Sequence, residues 1–406
     1  MKISGIITEY NPFHLGHNFH LNNCKIDTNP DGVVCVMSGN FVQRGFPSIT
    51  DKWSRAEMAI KSGVDLVIEL PTLFAVSSAE FFSFGAISIL DSLNIVDNIY
   101  FGSEFGNIDL ILTIAKILAF EPNEFKLYLK ENLSLGITFP SARANALNTY
   151  IENHLDLTID PTILQDFLNS SNNILGIEYC KILLRLNSSI KPVTLKREGS
   201  NYNDVTTEEN KFASATAIRE FIQNDKSLNS TKALLPNETY NILNSKKDFA
   251  DSSLMFSYIK YILLLKPDIA NNIKDTNEGL GNKILKEIQT SISLEDLISK
   301  CKSKRYTHTR ISRVLCLIFL GIDKELQCLL YERPKYIRIL GLNQTGAKIL
   351  KEIKKNSDIE IITKVPKKIT DELLKLDIKA TNLYSLLNTD LKLNSDYLKS
   401  PFILKN

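Results

Sequence analysis

Residues 3–17 read ISGIITEYNPFHLGH, and this stretch decides the fold. The apolar run Ile3–Ile7 predicts a short strand, and a helical pattern begins directly behind the polar loop that follows it. His14 and His17 flank Gly16 at the start of that helix, where backbone N–H groups lack intrahelical acceptors. The loop can therefore offer several donors to one oxyanion, as nucleotide phosphate sites do. From these residues alone, two ordinary loop histidines before a helix remain the alternative.

The composition is that of an ordinary soluble globular protein. Of the 406 residues, 44% are hydrophobic and 23% are charged, which leaves room for two or three domains with cores of their own. Because 48 Lys and Arg nearly balance 46 Asp and Glu, nucleic acid can bind only through a local basic patch. The overall charge thus excludes a generally polycationic nucleic-acid binder.

The cysteines and the apolar segments narrow the class further. The six cysteines are widely spaced and form no Cys-x-x-Cys pair, which argues against a disulfide framework and a zinc site. No signal peptide and no apolar stretch of about 18 residues is present. We therefore expect a cytoplasmic protein with no bound metal of its own, no membrane contact and no implied protein partner.

Strand and helix patterns alternate through the first hundred residues. Helical patterns separate apolar runs at Ile3–Thr8, Gly32–Met37, Asp65–Leu70 and Asn98–Phe101, and they occupy Gly16–Asn22, Lys52–Lys61 and Ser78–Leu93. This order predicts an α/β fold with an N-terminal doubly wound parallel sheet. Ligands bind at the carboxyl ends of such strands. The histidine loop, Ser38–Asn40 and Gly102–Glu104 follow three strands, so we expect them to line one crevice.

A second anion site is predicted further along the chain. Residues 109–185 are mostly helical in pattern, Ser189–Lys196 predicts a strand, and the polar loop Arg197–Asp204 follows. Ser214 is a plausible N-cap, Thr216 lies in the first turn, and Arg219 follows one turn later. Hydroxyls, free N–H groups and an arginine together favour an anion. An ordinary capped helix is the alternative.

The C-terminal region is mainly helical in pattern. Tyr336–Leu342 is compatible with one further strand, and Gly346–Lys354 with a helix after it. We place a boundary near residues 225–250, which divides the chain into a domain for nucleotide phosphates at 1–225 and a mainly helical domain at 226–406.

Six ordered blocks resemble known proteins. A strand, a Pro-x-His-x-Gly-His loop and a distant Ser-x-Thr-x-Ile-Arg helix start are similar to the HIGH-motif nucleotidyltransferases. The six blocks are Thr8–His17, Met37–Gly45, Asp65–Pro71, Phe101–Glu104, Asn172–Tyr179 and Ala213–Arg219. Within that superfamily, their order and spacing resemble the tRNA(Met) cytidine acetate ligase family across residues 1–225.

The resemblance implies a reaction. Proteins of this family join ATP and acetate into acetyl-adenylate and pyrophosphate, and the acetyl group then passes to N4 of the wobble cytidine of elongator tRNA(Met). Mg²⁺ is expected only with the ATP phosphates. Carboxylate attack on the α-phosphate builds negative charge, so His14 and His17 are expected to be catalytic hydrogen-bond donors.

The resemblance also implies a nucleotide-binding set. Its members are Ile7, Thr8, Glu9, Tyr10, Asn11, Pro12, Phe13, His14, Leu15, Gly16, His17, Asn18, Phe19 and His20, then Gly102, Asn172 and Arg197. Simpler interpretations exist for the last three: a turn glycine, a helix cap and a solvated charge. His20 on the helix is equally compatible with packing.

A basic segment is the candidate tRNA contact. Residues 302–313 carry five Lys and Arg side chains and no acidic one, and we assign tRNA contacts to Lys304, Arg305, Arg310 and Arg313. Cationic side chains supply phosphate affinity, and Tyr306 could stack on an unpaired base. A solvated helix face is the simpler interpretation.

Two other functions remain open at this point. A small-molecule adenylyltransferase would share the histidine loop, and a noncatalytic RNA-binding protein could share the fold. Neither a Walker A loop nor a Gly-x-Gly-x-x-Gly fingerprint occurs in the sequence, so the ATP site is of neither of those types.

Overall fold

The computed structural model describes residues 1–155, 160–197, 213–225 and 228–405. The strands are β1 (Ile3–Thr8), β2 (Gly32–Ser38), β3 (Phe41–Val42), β4 (Phe46–Pro47), β5 (Leu66–Leu70), β6 (Asn98–Ser103), β7 (Lys191–Lys196), β8 (Tyr336–Leu342), β9 (Glu360–Ile362) and β10 (Phe402–Ile403). Apart from Arg197, the predicted polar loop Arg197–Asp204 lies outside the described residues.

Helices make up most of the remaining regular structure. They are α1 (Leu15–Thr28), α2 (Lys52–Lys61), α3 (Thr72–Ala75), α4 (Ala79–Ser92), α5 (Ile108–Phe120), α6 (Asn123–Ser134), α7 (Phe139–His154), α8 (Pro161–Asn169), α9 (Ser171–Arg185), α10 (Ala215–Asp225), α11 (Asn237–Asn244), α12 (Ser252–Leu265), α13 (Leu280–Glu287), α14 (Leu294–Cys301), α15 (His308–Leu320), α16 (Gln344–Asn356), α17 (Glu372–Tyr384) and α18 (Ser395–Leu398). Among the helices described, none combines the length and the apolar character needed to cross a bilayer.

The chain forms two compact units. The first consists of Met1–Ile95 together with Gly199–Asn406, and the second of Val96–Glu198. The bounds of these two units differ from those of the predicted domains, 1–225 and 226–406. The assignment of a function to each predicted domain stays a prediction.

The first unit is built on a mostly parallel sheet. Its strands run in the order β10-β8-β5-β2-β1, with β9 also paired to β8. β1, β2 and β5 are parallel, as predicted, whereas β8 lies antiparallel to β5. All seven residues of β2 are buried, which the centre of a parallel sheet requires. The predicted α/β class is confirmed, and the C-terminal region adds three strands to the sheet besides its helices.

The second unit is mainly helical. It contains the parallel pair β6 and β7, and α5 packs against α9 while α6 packs against α7. This agrees with the helical pattern predicted for residues 109–185.

A buried ionic cluster ties the C-terminal residues to the sheet. Lys52 Nζ lies 2.7 Å from Glu69 Oε1 and 3.0 Å from Asp396 Oδ1. Arg338 approaches the same Asp396 oxygen at 2.7 Å. All four residues are at most 4% exposed. Since a buried charge is costly without partners, removal of one member would leave the others uncompensated.

Asp377 on α17 lies close to this cluster. Its carboxylate accepts a hydrogen bond from Thr72 N at 2.7 Å and another from the Tyr336 hydroxyl at 2.5 Å. Burial and the nearby Glu69 carboxylate raise the pKa of Asp377 to about 7. The carboxyl group of Asp377 is therefore only partly ionised at neutral pH.

Candidate functional site

The loop between β1 and α1 has an unusual backbone. Tyr10 has a φ of 44°, in the left-handed region that bulky residues rarely adopt, and the Asn11–Pro12 peptide bond is cis. His14 is the N-cap of α1, so the loop delivers the chain directly into the helix. Ile7 and Thr8 close β1, and Leu15–His20 form the first turns of α1.

The two imidazoles form a reciprocal cap at the start of α1. His14 Nδ1 accepts a hydrogen bond from Gly16 N at 3.1 Å, and His17 Nδ1 accepts one from His14 N at 3.3 Å. The rings are stacked with their centroids 3.7 Å apart. Because each Nδ1 is an acceptor, the neutral ring carries its proton on Nε2. The pair therefore has the character of two Nε2–H donors held side by side.

Aromatic side chains hold the second imidazole in place. The Tyr10 ring lies 4.9 Å from the His17 ring and 4.7 Å from the Phe13 ring, measured between centroids. Tyr10 and Phe13 are at most 1% exposed. Burial raises the pKa of the Tyr10 hydroxyl well above its ordinary value, so this side chain acts as a neutral, apolar wall.

The predicted second anion site is in contact with this loop. Ser214 Oγ accepts a hydrogen bond from Ala217 N at 3.1 Å, so Ser214 caps α10 as predicted. Arg219 donates to Asn11 O at 2.8 Å and to Thr216 Oγ1 at 3.0 Å. Residues more than 200 positions apart in the sequence thus come together at one helix start and one loop.

Two further loops are joined to the histidine loop. Glu9 Oε1 accepts a hydrogen bond from Gln43 N at 2.7 Å, which links the loop to the β3–β4 turn. Arg55 on α2 donates to Glu9 O at 2.6 Å and to the carbonyl oxygens of Ser38 and Gly39. No sequence motif marks Arg55, because its hydrogen-bond partners are backbone carbonyls.

Gly102, Asn172 and Arg197 lie in the second unit. A Cβ on Gly102 would lie 3.1 Å from Arg197 Cγ, so these two residues are neighbours. Asn172 N and Nδ2 both donate to Glu104 Oε1, at 3.1 and 2.7 Å. Asn172 therefore binds Glu104 through its side chain in the first turn of α9. Arg197 is exposed.

The basic segment divides into exposed and anchored cations. Lys304 and Arg305 are exposed, and they precede α15. Arg310 donates to Asp275 O at 3.2 Å and 3.0 Å through Nε and Nη2. Burial lowers the pKa of Arg313, which lies one turn further along α15. Lys304 and Arg305 are thus the more accessible half of the assigned set.

The expectation that Tyr306 stacks on a base is wrong. Its ring is 7% exposed, and its hydroxyl donates to Glu278 O at 2.5 Å. The Arg310 guanidinium lies 5.6 Å from the ring centroid. Packing and a cation–π contact therefore occupy this tyrosine.

Helix α15 also contacts the β3–β4 turn. Ser312 Oγ donates to Arg44 O at 2.5 Å. Gly45 has a φ of 79°, and a Cβ there would lie 2.5 Å from Ser312 O. The turn therefore touches the histidine loop through Gln43 and the basic helix through Arg44 and Gly45.

No dedicated metal cage is present in the described part of the chain. There, no group of three or more His, Cys, Asp or Glu side chains could hold a metal ion. All six cysteines are free thiols in the structure.

Comparisons with known proteins identify the family of this chain. The family model described as HIGH Nucleotidyl Transferase matches residues 1–397. A Clostridium perfringens protein named tRNA(Met) cytidine acetate ligase is 53% identical over 405 residues, with 100% of both chains covered. A Clostridium novyi protein of the same name is 52% identical over 411 residues, with the same coverage.

Solved structures show the same fold. Thermotoga maritima TmcAL in its apo form has a TM-score of 0.92 at 33% identity, and the form bound with alpha-thio ATP has a TM-score of 0.90 at 32% identity. Each match covers 100% of both chains. The chain therefore belongs to the HIGH nucleotidyl transferases and, among them, to the family of tRNA(Met) cytidine acetate ligases.

Proposed function

We propose that this protein is an ATP-dependent ligase that acetylates N4 of the wobble cytidine of elongator tRNA(Met). The single observation that carries the proposal is the paired His14 and His17 cap with Arg219 bound to the same loop. The full-length relatives named tRNA(Met) cytidine acetate ligase and the relative bound with alpha-thio ATP support it. A cytoplasmic location is part of the proposal.

In the first step an acetate oxygen attacks the α-phosphorus of ATP. A new O–P bond forms, the bond to the pyrophosphate oxygen breaks, and acetyl-adenylate and pyrophosphate result. Negative charge grows on the nonbridging oxygens of the α-phosphate during this displacement. The Nε2–H groups of His14 and His17 are proposed to donate to these oxygens, and loss of one such donor costs about 10²–10³ in rate.

We also propose nucleotide contacts for the other residues of the implied set. These are the loop Ile7–His20 with Ser214, Thr216 and Arg219, and the separate group Gly102, Asn172 and Arg197. Arg219 and Arg197 suit phosphate oxygens, since a guanidinium can bind them in a bidentate manner. Mg²⁺ is proposed to arrive with the ATP phosphates and to offset their charge.

In the second step the cytidine N4 amine attacks the acetyl carbonyl carbon. An N–C bond forms, the bond to the AMP oxygen breaks, and the amine loses a proton. We assign tRNA phosphate contacts to Lys304, Arg305, Arg310 and Arg313. The exposure of the first two, and the contact between α15 and the β3–β4 turn, support this assignment within the unit that carries the histidine loop.

Two measurements on one preparation test the proposal. Labelled pyrophosphate should enter ATP only when acetate is present and without any tRNA. Mass analysis of nucleosides from tRNA incubated with ATP and labelled acetate should then find label in N4-acetylcytidine.

Four outcomes would reject the proposal. Release of ADP and phosphate would exclude an adenylate. Transfer from acetyl-CoA without ATP would exclude acetate activation. Exchange without any tRNA acetylation would favour a small-molecule adenylyltransferase, and loss of both reactions would favour a noncatalytic RNA-binding protein.

A further inference from the structure

We propose that Arg55 is a positioning residue of the adenylation site, which sets the two imidazoles through the backbone of the histidine loop. The inference rests on the proposed function, because it concerns the histidines to which that function assigns the first step. It adds a residue that no motif marks, and it gives the left-handed Tyr10 a role.

All four acceptors of Arg55 are backbone carbonyl oxygens. Its side chain is fully buried, Nε donates to Thr50 O at 3.2 Å, and Nη1 donates to Glu9 O at 2.6 Å. Nη2 donates to Ser38 O at 3.1 Å and also to Gly39 O. Burial of a guanidinium is costly, and complete hydrogen bonding offsets that cost. The contacts of this side chain are thus those of a connector between loops.

Three of the four acceptors, those of Glu9, Ser38 and Gly39, lie where two neighbouring strands end. β1 and β2 are paired up to the positions of Thr8 and Met37. Glu9 follows directly on β1, whereas Ser38 ends β2. Beyond this point the β1–β2 pairing no longer joins the two strands, although Ser38 is still paired with Leu70 of β5, and the guanidinium bridges the ends of β1 and β2. A planar fork can reach separated carbonyls at once, whereas the single nitrogen of lysine cannot.

The bridge holds one side of the left-handed residue. Tyr10 lies between Glu9, whose carbonyl Arg55 binds, and Asn11, whose carbonyl Arg219 binds at 2.8 Å. Ile49 N also donates to Asn11 Oδ1 at 2.7 Å. A left-handed conformation at a bulky residue persists only where the surroundings over-determine it. The peptide before Tyr10 and the residue after it are held in this way.

The conformation of Tyr10 in turn sets the position of His17. The Tyr10 ring packs against the His17 ring at 4.9 Å, and the His17 ring stacks on His14 at 3.7 Å. Contacts therefore run without a gap from the Arg55 guanidinium to both imidazoles. If Arg55 releases the Glu9 carbonyl, the Tyr10 backbone can relax and its ring no longer fixes His17. A displacement of about 1 Å at a reacting group can cost about 10²-fold in rate.

The test compares Arg55→Lys with Arg338→Lys. Both arginines are buried in the first unit, but the ion-pair partners of Arg338 are Glu69 and Asp396. We expect Arg55→Lys to lower kcat of acetate-dependent pyrophosphate exchange by about 10- to 100-fold. The KM for ATP should change by less than about threefold, because positioning acts mainly on the transition state. Arg338→Lys should lower the melting temperature with a much smaller loss of kcat.

A spectroscopic measurement separates positioning from loss of stability. The chain has five histidines, so the ¹⁵N spectrum of the imidazoles is simple, and variants of His14 and His17 assign their signals. Arg55→Lys should shift the His14 and His17 signals at a temperature where the protein is folded, and Arg338→Lys should not. If Arg55→Lys does not fold, Arg55→Gln replaces it, since a neutral amide needs no counterion in the core.

Two results would overturn the inference. In one, Arg55→Lys keeps the kcat and the histidine signals of the parent. In the other, Arg338→Lys changes them to the same extent. Failure of the proposed function looks different, because the parent protein itself would then lack acetate-dependent exchange, while the histidine signals would still report whether Arg55 positions the loop.

Discussion

Replacing His14 or His17 by asparagine separates two tasks that the structure gives to these side chains. Each Nδ1 accepts a backbone N–H, at 3.1 Å for His14 and 3.3 Å for His17. Asparagine Oδ1 is separated from Cα by the same number of bonds as imidazole Nδ1, so it can accept the same capping hydrogen bond. Asparagine has no atom in the place of Nε2, so the proposed catalytic donor is lost. Glutamine does the reverse, since its amide nitrogen reaches the position of Nε2.

The expected magnitudes differ enough to be read separately. Asparagine is among the best N-cap residues, so His14→Asn should leave the stability nearly unchanged, whereas His14→Ala should cost about 1 kcal/mol. For a protein of this size that destabilisation corresponds to a few degrees in melting temperature. Either asparagine variant should lose about 10²–10³ in exchange rate. The double variant should lose less than the product of the two single losses, because residues that act as a unit are not additive.

The assay is acetate-dependent pyrophosphate exchange at saturating ATP, with thermal unfolding of the same samples. His154→Asn on α7 is the matched control, since His154 lies in the second unit and in no predicted site. The control should keep the parent rate. His17→Gln should retain more exchange than His17→Asn, because its amide can still donate near the α-phosphate.

The reasoning fails if the asparagine variants exchange pyrophosphate at nearly the parent rate. The imidazoles would then serve only as helix caps, and the transition-state charge would need other donors. Equal losses of rate and of melting temperature in the asparagine and alanine variants would also refute it, since the cap would then not have been preserved.

Three further predictions use other parts of the molecule. Asp377→Asn should remove a pH dependence. Because burial raises the pKa of Asp377 to about 7, the parent should lose stability as the pH rises from about 4 to about 7, whereas the variant should show no such loss in urea unfolding followed by the single tryptophan. Gly45→Ala should lower the melting temperature more than Gly136→Ala does, because both glycines have positive φ but only at Gly45 would the new Cβ meet the backbone of α15; equal effects would show that the turn yields freely. Replacing Lys304 and Arg305 by alanine should lower the ratio of tRNA acetylation to pyrophosphate exchange. In a plot of the logarithm of the tRNA binding constant against the logarithm of the salt concentration, the slope should decrease by about one for each phosphate that is no longer neutralised. A slope equal to that of the parent would place the RNA site elsewhere.

Much of the fold was predictable because the signals are local. The predicted strand at Ile3–Thr8 has its predicted bounds, and so does the helix at Lys52–Lys61, since each has a clear apolar pattern. The strand at Tyr336–Leu342 also forms as predicted. β9 and β10 were missed, because runs of three and two residues are too short to show any periodicity.

The candidate site was predictable only where side chains of a characteristic type and spacing form it. The Ser214 cap and the histidine pair follow from residue type and spacing, and the structure places Arg219 against the histidine loop. Arg55 gave no such signal. Every residue has a backbone carbonyl, so the residue types of its partners do not reveal the contact. Tyr306 was misassigned for a related reason: a basic run predicts solvent exposure, but tertiary packing buried its aromatic member.

The buried cluster explains why the C-terminal residues cannot be treated as a simple appendage to an ATP-handling domain. Lys52 and Glu69 come from the N-terminal region, whereas Arg338 and Asp396 come from the last 70 residues. Each region supplies an ion pair of its own, and the contacts Lys52–Asp396 and Arg338–Glu69 join the two pairs. β8 also covers the edge of β5 that would otherwise be open to pairing with another chain. A boundary near residue 225 can therefore separate the residues proposed for adenylate chemistry from those proposed for tRNA contact. The sheet that carries the histidine loop is nevertheless stabilised by residues on both sides of that boundary.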